Sequence, residues 1–131
     1  MQPRTEYQFR YTLTGDSDDS LEFREGRFRT FGTDGSLRFT ASSCADTLSD
    51  SAVFSHMTSN DPDFVLNVGD MHYAGINSGT QKYFRQAYHE VFKSREMRSL
   101  YENYPIVYTF DDHDAGSDNT NGNAFSINEV N

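Results

Sequence analysis

The chain has 131 residues and a mass of 15.0 kDa, room for one ordinary domain but not for a large multidomain enzyme. Asp and Glu total 20 against 11 Lys and Arg, giving a net charge of -9 and a pI near 4.7; this argues against a nucleic-acid backbone as the main partner and favours cations. Eleven Phe and eight Tyr supply core-filling bulk despite a mean hydropathy of -0.76, which excludes wholesale disorder.

Tyr7, Phe9, Tyr11 and Leu13 alternate with polar residues and predict a half-buried strand. Asp16, Asp18 and Asp19 fall in a turn composition and read as a solvated turn. Residues 21–31 follow, with Phe23, Phe28 and Phe31 as apolar anchors around Gly26, so an antiparallel hairpin or meander is expected. Residues 32–35 break the chain before a second alternating run, 37–41, that leads into Ser42-Ser43-Cys44.

From Asp46 onward, strand and helix patterns alternate. Leu48, Ala52, Val53 and Met57 sit roughly at helical spacing, and Pro62 marks the entry to a short strand, 63–68, that ends in Gly69-Asp70. Tyr83, Phe84, Ala87, Tyr88, Val91 and Phe92 predict an amphipathic helix with Thr80 as its N-cap. Met97, Leu100 and Tyr101 continue into a second short helix that Pro105 stops. A last strand, 106–110, delivers Asp111-Asp112-His113-Asp114, and the Gly/Asn/Asp/Ser-rich residues 115–123 read as a loop.

The expected class is therefore α/β. Cys44, Asp70 with Tyr73, and Asp111 to Asp114 each follow a predicted strand, and the crevice outside strand carboxyl ends is where open α/β sheets bind ligands. Thiolate, phenolate and carboxylates together suit a divalent or trivalent metal, and Gly69 would let the chain turn so that Asp70 and Tyr73 both face it. Each residue also has a plainer reading: Cys44 as a small buried hydrophobe, Asp70 as a turn or cap residue, Tyr73 as a rim aromatic. Three carboxylates around one imidazole are harder to explain without a cation or solvent to relieve their repulsion. His56, His72 and His89 read as surface or packing residues, although His72 could touch a substrate.

Ser42-Ser43-Cys44, the run from Pro62 through Val68-Gly69-Asp70-Met71-His72-Tyr73, and the run from Pro105 through Asp111-Asp112-His113-Asp114 resemble, in order and spacing, the opening motifs of PhoD-like alkaline phosphatase/phosphodiesterases. The Gly-Asp-x-x-Tyr element alone is shared with purple acid phosphatases; Ser-Cys and Asp-Asp-His-Asp favour the PhoD-like family. Residues 1–31 look like the last strands of that family's N-terminal fibronectin-III-like β domain, and residues 36–131 like the first part of its metallophosphatase domain, a sheet sandwich flanked by helices. The chain is thus expected to be a segment of a larger protein, without the downstream His and Asp ligands of the family's site.

The resemblance implies a site of iron(III) and calcium, or another divalent metal, that hydrolyses small phosphate mono- or diesters through a metal-bound hydroxide. Cys44 and Tyr73 match iron ligands, Asp70 the bridging carboxylate, Asp112 a ligand of the second metal, and His113 the histidine that contacts phosphate and protonates the leaving group. Three positions depart from the pattern: His72 stands for an apolar residue, Phe110 for a common Trp, and Asp114 for a frequent Glu. The alternatives are a purple-acid-type metallophosphoesterase and a non-catalytic, acidic, cation-binding remnant. A secreted or periplasmic location is implied by the resemblance alone, since residues 1–6 lack the apolar core of a signal peptide. No apolar run approaches the roughly 20 residues needed to span a bilayer, so no membrane association is expected, and the single cysteine excludes an internal disulfide.

Overall fold

A computed structural model describes residues 1–13 and 22–121. The Asp16, Asp18 and Asp19 turn lies outside the described residues.

The N-terminal alternation forms strand β1 (Glu6–Leu13), which pairs antiparallel with β2 (Glu22–Arg29) as an isolated two-stranded sheet. Phe9 faces Gly26 across the ladder, and its ring lies over the glycine so closely that an added Cβ would come within 2.3 Å of the ring tip. Gly26 is the residue that lets this aromatic cross the sheet. Tyr7 stacks on Phe28 with ring centroids 5.6 Å apart. The hairpin is tied to the rest of the chain by polar clamps: Arg29 pairs with Asp61 at 2.9 Å, and Arg27 donates to the Asn103 side chain at 3.0 Å.

The remaining elements form a three-stranded parallel sheet in the order β3 (Phe39–Ser42), β4 (Phe64–Asn67), β5 (Ile106–Tyr108). Helix α1 (Ala52–Ser59) connects β3 to β4; α2 (Gln81–Val91) and α3 (Arg95–Asn103) connect β4 to β5. One sheet face meets the helices. Val65 of β4 packs there with Phe54, Met57, Met71, Val91, Met97, Leu100 and Tyr101 to make the core. The alternate residues face away: Phe39 and Val107 are each 51% exposed, and Phe39 stacks on Phe64. Parallel sheets ordinarily bury both faces, so among the described residues this sheet has only one of its two usual layers.

Mixed α/β architecture is borne out, with corrections in detail. The first helix starts later than its apolar spacing indicates. Leu48 sits at φ +65° in a turn closed by a Ser49 N–H to Asp46 carbonyl bond, and Ser51 caps the helix by accepting from the Val53 N–H. Phe54 and Met57 therefore carry the buried face, while Leu48 and Val53 remain about half exposed. Thr80 is the N-cap of α2 by position, but its side chain makes no cap bond and pairs instead with the Ser78 hydroxyl. The last strand ends at Tyr108. Beyond it the chain enters a four-residue helix, α4 (Asp112–Ala115), because Asp111 and Asp114 form a reciprocal capping box: Asp114 takes the Asp111 N–H, and the Asp111 carboxylate caps the first turn.

Candidate metal centre

Parallel β3, β4 and β5 end side by side, so the residues that follow them meet at one edge of the sheet. Two tight turns bring them together. Cys44 follows β3 at φ +53° and donates its N–H to the Gly69 carbonyl, while Gly69 and Asp70 follow β4 at φ +111° and +51°. Buried Asn67 shapes the second turn by accepting from the Gly69 N–H at 3.0 Å. A Cβ on Gly69 would lie 2.5 Å from the Asp111 Cβ, so glycine is required here by conformation and by the approach of the third strand's loop.

Asp70 stands at the centre. It is 3% exposed; its carboxylate accepts from the His113 N–H at 3.1 Å and lies 3.5 Å from the Cys44 Sγ. Ligand atoms of Asp70, Asp112 and His113 all fall within 4.8 Å of one another. Tyr73, 47% exposed, stacks its ring on the His113 imidazole at 4.0 Å between centroids. All five residues singled out from the sequence (Cys44, Asp70, Tyr73, Asp112 and His113) are thus neighbours at one place. His56 and His89 are exposed, whereas His72 is fully buried and packs edge-on against Tyr88.

The electrostatics are those of a site short of positive charge. Burial pushes the Asp70 carboxyl above its ordinary value, against the opposing hydrogen bonds from His113 and Cys44. The charge on Cys44, then partial burial and the carboxylates of Asp70 and Asp112, raise the Tyr73 phenol. Asp112 is held low, chiefly by the Asn119 backbone N–H. Among the described residues, no lysine or arginine pairs with Asp70, Asp112 or Asp114.

Within the Asp-Asp-His-Asp run the structure separates roles that composition leaves merged. Asp112 and His113 join the cluster, with Asp112 also accepting the His113 and Asn119 backbone N–H groups, whereas Asp111 and Asp114 act as acceptors for the turn and the helix start. Buried Asp114, which the sequence offers only as part of the acidic run, organises the site: it accepts from the N–H groups of Asp70 at 2.7 Å, Met71 at 3.2 Å and Asp111 at 3.1 Å, and from the Tyr88 hydroxyl at 3.2 Å. It therefore fixes the left-handed turn that presents Asp70 and the start of the helix that carries Asp112 and His113. The only sequence signal for this role is its position three residues after Asp111, the spacing of a capping box.

His113 is 5% exposed, and its Nδ1 lies 3.3 Å from the Ala74 carbonyl. A carbonyl only accepts, so Nδ1 carries a proton and Nε2 is the nitrogen left to bind a ligand or a further proton. Nε2 is buried and has no hydrogen-bond partner in the described structure. Second-sphere carbonyls that fix a histidine tautomer in this way are usual around metal sites.

No protein-family model, curated protein or solved structure matches this chain. What the site can do therefore rests on its own chemistry: hard carboxylate and phenolate oxygens, one thiol and one imidazole, open to solvent on the side of Cys44 and Tyr73.

Proposed function

We propose that the chain carries the metal-binding part of a phosphoric ester hydrolase of the PhoD-like kind, acting on small phosphate mono- or diesters. The observation that carries this reading is the convergence of Cys44, Asp70, Tyr73, Asp112 and His113 at the ends of three adjacent parallel strands, around a buried carboxylate without a lysine or arginine partner among the described residues. The donor set fits a metal pair: Cys44 and Tyr73 would hold iron(III), Asp112 calcium or another divalent ion, and Asp70, in reach of both groups, would bridge. Bound ions would supply Lewis acidity and neutralise charge developing on the phosphoryl oxygens. They would also offset the burial that raises the Asp70 pKa and the negative surroundings, Cys44 first, that raise that of Tyr73.

The chain's own groups have separable tasks in this scheme. Asp114 holds the backbone of Asp70, Met71 and Asp111 in the orientation that points ligands inward. Ala74 keeps the Nδ1 proton of His113 in place, so a proton given to a departing alkoxide comes from Nε2. Donation requires a neighbour of Nε2 to move aside, because that atom is buried. The same proximity supports a second reading, in which His113 joins Asp70 and Asp112 as a ligand of a non-catalytic cation site. Cys44 beside Asp70 favours the PhoD-like pattern over a purple-acid-type site.

On this reading the three-stranded sheet is part of a metallophosphoesterase sandwich spanning 36–131, and β1 and β2 belong to the end of a fibronectin-III-like domain within 1–31. The deciding experiment is elemental analysis of the purified chain and of Asp70→Ala, together with hydrolysis of nitrophenyl phosphate mono- and diesters. Metal bound by the wild type and lost in Asp70→Ala supports the centre, and hydrolysis that disappears with it supports the enzyme. Equal metal content in both proteins overturns the assignment; metal without turnover selects the non-catalytic reading.

A further inference from the structure

An open pocket of about 720 Å³ lies against the metal centre. The two share a wall: Tyr73, which stacks on His113, and Ala74, whose carbonyl faces the His113 Nδ1, both line the pocket. Buried Ile76 also lines it, held by a bond from its N–H to the Gly116 carbonyl, and α2 contributes Tyr83 and Glu90. Tyr73 and Tyr83 are 47% and 51% exposed, so the Tyr83 ring and the one face of Tyr73 not covered by His113 are available to a guest.

The charges around the pocket have one sign. Asp46 and Glu90 line it, and no lysine, arginine or histidine does so among the described residues. Glu90 is neutralised by Lys93 at 2.6 Å, whereas exposed Asp46 has no ion-pair partner among the described residues. An anionic guest would meet a carboxylate and the negative faces of two rings. A cation would be attracted by both, and aromatic rings beside a carboxylate are the chemistry that recognises quaternary ammonium groups.

We propose that this pocket receives the alcohol portion of the ester and selects an alkylammonium group there. The assignment to an ester's alcohol rests on the phosphoesterase reading; the selection for a cation rests on the pocket alone. Choline and 3,3-dimethyl-1-butanol have the same shape and differ in the charge, so the pair isolates the effect. Both are titrated into the metal-free full chain, with binding followed by NMR at the Ile76 methyls and the Tyr83 ring. Choline should bind about tenfold more tightly, from two rings and one carboxylate acting together. Tyr83→Leu should weaken choline about two- to fivefold, the worth of one exposed cation–π contact. Asp46→Asn should weaken choline and leave the neutral alcohol unchanged. Both positions are exposed, and circular dichroism checks that the variants keep the fold. Equal affinity for the two alcohols, variants that bind choline like the wild type, or glycerol 3-phosphate shifting the same signals would each overturn the proposal. Because the titration needs neither metal nor turnover, choline binding by a chain that hydrolyses nothing keeps the pocket and removes the catalytic reading. Hydrolysis without choline preference does the reverse.

Discussion

Asp114→Ala is the substitution that most directly tests how the centre is built. The carboxylate holds three backbone N–H groups and the Tyr88 hydroxyl, and Asp114 is 4% exposed. Stranding a buried donor costs about 1–3 kcal/mol. The space left by truncation admits water to the donors, which places the cost at the lower end, about 1 kcal/mol for each of three N–H groups. The expected loss is therefore about 3 kcal/mol, a large share of the ~5–15 kcal/mol that stabilises an ordinary domain. Urea unfolding should show a lower midpoint with an unchanged slope. Asp112→Ala is the control: Asp112 is partly exposed and accepts from the Asn119 and His113 N–H groups at the loop, so its removal should cost about 1 kcal/mol or less while still lowering metal content. An Asp114→Ala midpoint equal to that of the wild type would refute the claim that this carboxylate organises the turn. A midpoint no lower than that of Asp112→Ala would show that the two aspartates are not divided as the hydrogen bonds divide them.

Gly69→Ala should destabilise the chain by about 2 kcal/mol or more, because φ +111° is closed to alanine and its Cβ would meet the Asp111 Cβ at 2.5 Å; thermal unfolding measures it. Burial and the Asp114 charge push the Tyr88 phenol up to about 12. An acid whose pKa is raised by folding stabilises the protein fully below its unfolded value near 10, and that contribution is lost as pH rises through the folded value; unfolding midpoints should therefore fall between about pH 10 and 12, and less so in Tyr88→Phe. If hydrolysis is detected, His113→Ala should lower turnover on an alkyl ester by the roughly 10²–10⁴ of a lost general acid while slowing a nitrophenyl ester less, since nitrophenolate departs with little protonation. Equal slowing of both esters would identify His113 as a ligand or phosphate contact.

Much of the fold is legible in the sequence because its signals are local. Period-two alternation marks β1, and the i, i+4 recurrence of apolar residues marks α2 and α3. What periodicity does not reveal is which apolar residue goes inside. Val53 and Tyr83 fit helical stripes yet are about half exposed, while the core takes Phe54 from one helix and Ala87 and Val91 from the other. Tyr88 lies on the expected buried face of α2, but its hydroxyl is bound to Tyr108 and Asp114, so its position answers to the candidate site as much as to the core. Such choices depend on neighbours distant in sequence, which a local pattern does not contain.

The site is legible for a different reason: three adjacent parallel strands deliver whatever follows them to one edge, so strand order converts distant residues into neighbours. Recognising the strands thus suffices to gather Cys44, Asp70, Tyr73, Asp112 and His113. It does not sort Asp111, Asp112 and Asp114, which are chemically identical and adjacent. The sorting comes from backbone donors. A helix start exposes N–H groups that need acceptors, Asp111 and Asp114 are spent on them, and the turn at Gly69 and Asp70 directs two more donors to Asp114. Asp112, at the first position of α4, also accepts backbone donors, but it remains partly exposed and within reach of Asp70 and His113. The repulsion expected among three carboxylates is thus eased by backbone donors at all three, and what sets Asp112 apart is its place beside Asp70 and His113. The two carboxylates placed to share a cation are Asp70 and Asp112, and the elemental analysis of Asp70→Ala tests whether they hold one.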